Sequence, residues 1–205
     1  MDINPQDVST TVFYQHLIRT ILPRPIAWVS TISESGLCNL APYSFFSGVG
    51  AVPPTLVFCP SNRRDGSYKD TLANLLALRQ FVISVVPYSM VEAMNMTSAE
   101  VAPDESEYLL AGVDAEPSRH VRPPRVRNSP VAFECELLQH FPLATGPGAA
   151  NLVVGRIVHL HISDEVLDAK GFADPARLDL AGRLGGSDYC RTNDRFELVR
   201  PTLPN

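Results

Sequence analysis

The stretch that decides the fold is Pro23-Arg24-Pro25-Ile26-Ala27-Trp28-Val29-Ser30-Thr31, followed after Gly36 by Asn39-Leu40-Ala41-Pro42-Tyr43-Ser44-Phe45-Phe46. Its first half, from Ile26 to Ile32, is β-branched and aromatic and predicts a strand. Residues 33–36 have the composition of a turn, and Leu37 to Phe46 predicts the second strand of a hairpin. Because Pro42 has no N–H to donate, this second strand must bulge, bend or lie at a sheet edge.

The second strand carries polar side chains on both of its faces. Alternation places Asn39, Ala41 and Tyr43 on one face and Pro42, Ser44 and Phe46 on the other. A backbone bent at a proline can point unpaired N–H and C=O groups at a planar, hydrogen-bonding ligand. An ordinary barrel hairpin explains the same pattern equally well, so the residues alone leave both interpretations open.

A second candidate site follows in the loop 61–68, which contains Arg63 and Arg64. The loop leads into Lys69-Asp70-Thr71 and a helical pattern of leucines, with Asp70 or Thr71 as the expected N-cap. Free N–H groups at a helix start favour an anion, and the basic side chains add charge. A capped helix with solvated basic residues is the alternative.

Composition narrows the class of protein. The chain has 205 residues, of which 45% are hydrophobic and 19% charged, which predicts one globular domain over residues 1–205. Three strands before residue 60, joined by short links, indicate a mainly β fold with short helices. The net charge of −5 disfavours nucleic acid and anionic membranes as partners. The N-terminus lacks a signal-peptide pattern, so a cytoplasmic location is expected.

The sequence contains no clear pattern for a metal site or for a reactive cysteine pair. The four cysteines are far apart and form no C-x-x-C pair. His159 and His161 share one face of a predicted strand, but no third ligand lies near them in the sequence. We therefore expect no metal site.

Four motifs in order resemble one known family. They are P-R-P-I-A-W-V-S-T, N-L-A-P-Y-S-F-F, K-D-T-L-A-N-L and A-M-N-M-T-S. Together they resemble the flavin reductase-like, FMN-binding family with a split β-barrel, and the similarity runs from about residue 22 to about residue 189. The tail R-L-G-G-S-D-Y resembles the closing segment of that family, although its local chemistry requires no ligand.

The resemblance implies a site for non-covalently bound FMN, with NADH or NADPH as transient electron donor. The implied cofactor-binding residues are Ser30, Thr31, Asn39, Ala41, Pro42, Tyr43, Ser44, Phe46, Arg63, Lys69, Asp70 and Thr71. No catalytic side chain is expected, because hydride chemistry belongs to the cofactor. The family also implies a homodimer with the flavin site at its interface, and the apolar, extended segment Val113 to Pro130 favours such an interface.

Three functions are compatible with this resemblance. The first is an NAD(P)H:flavin oxidoreductase, which could serve as the reductase component of a two-component monooxygenase. The second is a flavoredoxin-like electron-transfer protein that holds FMN tightly. The third is an FMN-binding protein without catalytic activity.

Overall fold

The computed structural model describes residues 1–102 and 104–202. Its α-helices are α1 (Thr10–Thr20), α2 (Asp70–Leu78), α3 (Val91–Met96), α4 (Glu107–Leu110) and α5 (Pro175–Leu178). Its strands are β1 (Arg24–Pro25), β2 (Ala27–Ile32), β3 (Cys38–Tyr43), β4 (Phe46–Ala51), β5 (Pro54–Phe58), β6 (Gln80–Ser84), β7 (Ala115–Glu116), β8 (Arg125–Val126), β9 (Val131–Pro142), β10 (Asn151–Ile162), β11 (Ala181–Arg183) and β12 (Tyr189–Arg191). The expected mainly β fold with short helices is confirmed.

Seven antiparallel strands form the main sheet, in the order β3-β2-β6-β9-β10-β5-β4. Although β3 and β4 lie at opposite edges, only Ser44 and Phe45 separate them in the chain. Two residues span less than about 11 Å, so the sheet must curl until its two edges are close. The curled sheet is a barrel, and no backbone ladder between β3 and β4 closes it.

The hairpin is in perfect register but shorter than the sequence predicts. Pro42 lies opposite Trp28 without any bulge, and β3 is an edge strand, which is one of the three expected solutions for this proline. The prediction of one continuous strand from Leu37 to Phe46 is wrong. The chain turns at Ser44 and Phe45 because it must there pass from one sheet edge to the other.

Each face of β2 packs into a different hydrophobic core. Val29 faces the barrel interior, where Phe58 and Phe81 are fully buried. Trp28 faces the opposite layer and packs with Met94 and Tyr108. The site-forming hairpin is therefore held rigidly from both sides.

The segment from Val113 to Pro130 lies on its own barrel. Val121 and Val126 are buried against the chain's own cores. The carboxylate of the buried Glu134 accepts the backbone N–H groups of Arg119 at 2.8 Å and His120 at 2.6 Å. The valines of this segment are thus already covered, and they supply no reason for a second chain. Across the described ranges, the helices are all too short or too polar to cross a bilayer.

Candidate functional site

A cavity of about 380 Å³ opens where β3, the loop 61–68 and the start of α2 meet. Its volume lies at the lower end of the range of about 300–1,000 Å³ found for small-molecule sites. Eight of the twelve predicted residues line it: Asn39, Ala41, Pro42, Tyr43, Arg63, Lys69, Asp70 and Thr71. Tertiary structure thus brings two separate sequence motifs to one place.

A direct contact joins these two motifs. Asn39 and Thr71 are both buried, and their side chains meet at 2.9 Å. With the amide of Asn39 oriented to satisfy its neighbours, its oxygen accepts from the Thr71 hydroxyl and its nitrogen donates to Glu107 at 3.3 Å. The polar end of β3 is therefore fixed to the first turn of α2.

The helix start leaves donors free at the cavity. Lys69, not Asp70 or Thr71, is the N-cap residue, and its side chain makes no cap hydrogen bond, so the predicted capping residue was wrong. The carbonyl of Lys69 accepts the N–H groups of Leu72 and Ala73, at 2.9 and 3.0 Å. The N–H groups of Asp70 and Thr71 precede these bonds and are available to an anion.

The two basic side chains of this cavity, Arg63 and Lys69, differ in whether a carboxylate pairs with them. Arg63 donates to the carboxylate of Asp70 at 2.5 Å and to the carbonyl of Tyr68 at 2.8 Å. Within residues 1–102 and 104–202, the ammonium group of Lys69 has no carboxylate partner. Lys69 therefore has an unneutralised charge to offer a ligand.

The loop that carries Arg63 is held from below by buried amides. Asn62 donates to the carbonyls of Gly66 at 3.2 Å and Gly146 at 3.1 Å, and it accepts from Asn151 at 2.8 Å. Gly66 has a φ of +88°, a conformation that a side chain rarely adopts, and an added Cβ would lie 3.4 Å from Gly146. The loop geometry is thus fixed by the fold rather than by a ligand.

Tyr43 supplies a buried hydroxyl at the cavity wall. Its Oη has no hydrogen-bond partner among the described residues and no contact with solvent. Burial raises the pKa of Tyr43 to about 12, so this hydroxyl stays protonated at neutral pH. The nearby Thr71 side chain partly opposes this shift. Because the hydroxyl is closed off from solvent and the ring packs against Phe58, it belongs to the buried layer beneath the cavity and not to its open surface.

Four predicted residues do not line this cavity. Ser30 and Thr31 are fully buried within the sheet, and the Oγ1 of Thr31 accepts from Asn74 at 3.3 Å. Ser44 accepts from Nε of Arg24 at 3.3 Å and lines a neighbouring cavity instead. Phe46 packs against the barrel core.

Sequence reasoning missed Glu107, which lines the cavity from α4. Its Oε2 accepts the N–H of Leu40 at 3.0 Å. Burial raises the pKa of Glu107, and the Leu40 N–H partly opposes this shift. No local pattern marks this glutamate, because its partners lie about seventy residues earlier in the chain.

The segment Thr97 to Val101 forms the opposite wall of the cavity. Nε1 of the fully buried Trp28 donates to Oγ1 of Thr97 at 2.8 Å, and that hydroxyl donates to the carbonyl of Met94 at 2.7 Å. The hairpin motif therefore positions both walls. The A-M-N-M-T-S motif, residues 93–98, contains Thr97 and Ser98, whereas residues 99–101 carried no signal.

Comparison with known proteins shows the family to which the chain is similar. The profile of the family described as "Flavin reductase like domain" matches residues 18–178. A solved structure of nitrilotriacetate monooxygenase component B from Bacillus cereus superposes with a TM-score of 0.91 at 33% identity, covering 97% of this chain and 98% of the other.

Two further solved structures are similar over the whole chain. The 2-nitrobenzoate 2-nitroreductase of Pseudomonas fluorescens gives a TM-score of 0.87 at 33% identity, covering 100% of this chain and 99% of the other. A Shewanella frigidimarina protein named for its split barrel domain gives 0.82 at 23% identity, with full coverage of both chains. The latter likeness bears on the fold alone, and the expected split β-barrel is confirmed.

Proposed function

The chain belongs to the flavin reductase-like domain family, and on that premise we propose that it is an FMN-binding NAD(P)H:flavin oxidoreductase. The observation that carries the proposal is the convergence of Asn39–Tyr43 and Lys69–Thr71 on one cavity, joined by the contact between Asn39 and Thr71. When bound, the flavin would accept a hydride from a nicotinamide and supply the redox chemistry. The protein supplies binding and orientation.

The residues present fit such a ligand. Lys69 and the free N–H groups of Asp70 and Thr71 would hold the phosphate. Four carboxylates also line the cavity. Asp70 is paired with Arg63, Glu107 is bound by Leu40 and Asn39, and Asp65 accepts from Ser67, so among the described residues Glu100 is the carboxylate that most directly opposes a phosphate. The edge of β3 would face the ring system, whose carbonyls and N–H group can pair with backbone groups of that strand.

The visible absorbance spectrum of the purified protein, with FMN added and then with NADH or NADPH, tests this proposal. We expect FMN to bind and its absorbance to bleach on addition of one of the two donors, and steady-state oxidation of that donor to require FMN. Failure to bind FMN would contradict the proposal outright. FMN that stays bound through gel filtration but is not reduced by either nucleotide would instead favour the electron-carrier function.

A place in a two-component monooxygenase belongs to the same proposal. Its support is the similarity, at 33% identity, to a protein named as component B of nitrilotriacetate monooxygenase. The nitroreductase at the same identity favours a second candidate, in which flavin stays bound and reduces a small acceptor directly. Release of reduced FMN to a second protein during turnover would separate the two.

We also propose that two chains form the working unit, with the flavin site near their interface. The exposed edge strand β4 supports this, since Val49 and, just beyond the strand, Val52 are 62% and 98% exposed. Apolar side chains on an open sheet edge favour pairing with another chain. Sedimentation at micromolar concentration should give a dimer, and a monomer that binds FMN with full affinity would contradict this proposal.

A further inference from the structure

A second cavity, of about 230 Å³, adjoins the first. Pro42, Tyr43 and Ser98 line both cavities. A molecule in the second cavity would therefore touch the same side chains as a molecule in the first. The closing motif R-L-G-G-S-D-Y, whose local chemistry requires no ligand, contributes both Arg183 and Tyr189 to this second cavity.

The charged side chains that line the second cavity are all positive. Arg24 and Arg183 line it, and no aspartate or glutamate does. Within the described parts of the chain, neither guanidinium pairs with a carboxylate. Two uncompensated cations beside one cavity favour an anionic ligand.

Arg24 is a buried cation held only by neutral groups. It is 4% exposed, and its guanidinium donates to the carbonyls of Ile18 at 2.5 Å, Ile21 at 2.8 Å and Leu184 at 2.7 Å. Burial is the main cause that lowers the pKa of Arg24, and the charge of Arg183 lowers it further. Arg24 thus ties α1 to the tail and keeps a positive charge at the base of the cavity.

Arg183 is the more accessible cation, and it is held in place. Its guanidinium lies 4.3 Å from the ring centroid of Tyr189, its neighbour across the β11–β12 ladder, and it donates to the carbonyl of Gly186. Gly186 has a φ of +62°, and the hydroxyl of Tyr189 donates to Asn95 at 3.3 Å. The guanidinium is therefore preorganised beside a flat aromatic wall.

We infer that the second cavity binds the anionic group of a ring-bearing second substrate, held by Arg183 with Arg24 behind it. The shared chemistry is a flat ring linked to an anion, either directly as a carboxylate or through a ribose as a phosphate. It could come from an arene carboxylate or from a nicotinamide nucleotide. This inference rests on the proposed function, because the first cavity is assigned there to the flavin.

Calorimetric titration of the FMN-loaded protein tests the inference with three probes: benzoate, benzamide and NAD⁺. Benzamide keeps the ring and size of benzoate but has no charge. The variant is Arg183→Gln, with Arg183→Lys as a second variant that keeps the charge. The matched control is Arg191→Gln, since Arg191 lies 4.2 Å from the ring centroid of Tyr88 but lines neither cavity.

We expect benzoate, NAD⁺ or both to bind the wild type. If benzoate binds, benzamide should bind more weakly, because it lacks the charge. Arg183→Gln should lower the affinity for each anion that binds about tenfold or more, because a charge-assisted hydrogen bond is lost. The affinity for benzamide should not change. Arg183→Lys keeps the charge but loses the planar guanidinium stacked on Tyr189, so its affinity should fall between those of Arg183→Gln and the wild type. Arg191→Gln should equal the wild type. Loss confined to NAD⁺, with a raised KM for NADH at similar kcat, would identify the electron donor. Loss confined to benzoate would identify an acceptor carboxylate.

The inference is overturned if neither anion binds, or if every anion that binds the wild type binds Arg183→Gln equally tightly. Its failure can be distinguished from failure of the proposed function. If FMN does not bind, the proposed function fails, while calorimetry with benzoate still reports on the second cavity. If FMN binds and is reduced but Arg183→Gln changes no affinity, only the inference fails.

Discussion

The side chains of Asn39 and Thr71, thirty-two positions apart, meet at 2.9 Å and bind the edge strand β3 to the first turn of α2. Both residues are almost completely buried, so neither can exchange this partner for water. The contact sets the distance between the wall assigned to the flavin ring and the helix start assigned to its phosphate. The geometry of the site therefore depends on one buried polar pair.

Removing the hydroxyl of Thr71 should damage both stability and binding. Thr71→Val keeps the shape of the side chain but leaves the amide of Asn39 without its partner, which costs about 1–3 kcal/mol of unfolding free energy. FMN affinity should fall as well, because β3 is no longer fixed to α2. Urea unfolding and flavin fluorescence titration measure the two effects. Thr71→Ser, which keeps the hydroxyl, should recover most of both, and equal behaviour of the two variants would contradict this account.

Lys69 should distinguish FMN from riboflavin. Among the described residues its ammonium group has no carboxylate partner. Lys69→Ala should therefore weaken FMN binding about tenfold or more, through loss of a charge-assisted bond to the phosphate. Riboflavin has no phosphate and should bind the variant and the wild type alike. Lys170→Ala, at an exposed turn far along the chain, is the control. Equal losses for both flavins would place the phosphate elsewhere.

Glu107 should make stability fall as pH rises. Burial raises its pKa in the folded protein above the ordinary value of 4.5, so the folded state binds the proton more tightly than the unfolded state. This contribution is fully present below pH 4.5 and is lost as pH rises through the raised pKa. Urea unfolding across this window should show that loss in the wild type and not in Glu107→Gln.

A second glutamate provides the control for that measurement. Glu136→Gln removes a carboxylate that is 42% exposed and paired with Arg156 on the outside of the barrel. The Glu136→Gln profile should keep the fall in stability that Glu107 causes. A Glu107→Gln profile that runs parallel to the wild type would show that Glu107 is not its source.

Gly155 should be intolerant of any side chain. A Cβ added at this position in β10 would lie 2.3 Å from Cζ of Phe81, which is fully buried in the barrel. Gly155→Ala should therefore destabilise the fold by about 1–3 kcal/mol through overpacking. Gly48→Ala on the exposed strand β4 meets nothing within 4 Å and should change stability by less than about 0.5 kcal/mol. Thermal or urea unfolding of both variants checks the contrast.

The sequence by itself determined the local elements. Alternation and turn chemistry predicted the hairpin of β2 and β3, and leucine spacing predicted α2. The missing N–H of Pro42 limited β3 to a bulge, a bend or an edge position, and the structure has the edge. These properties depend on neighbours within a few residues, so a pattern in the chain records them. The family resemblance then predicted twelve residues that share a site, and eight of them line one cavity.

Only the tertiary structure decided how the sheet curls and what meets at the cavities. The turn at Ser44 and Phe45 exists because two sheet edges must be joined, and Glu107 faces Leu40 from sixty-seven positions away. Arg24 reaches the carbonyl of Leu184 across one hundred and sixty positions. Contacts over such separations are fixed by the packing of whole layers, and nothing in the local sequence around either partner encodes them.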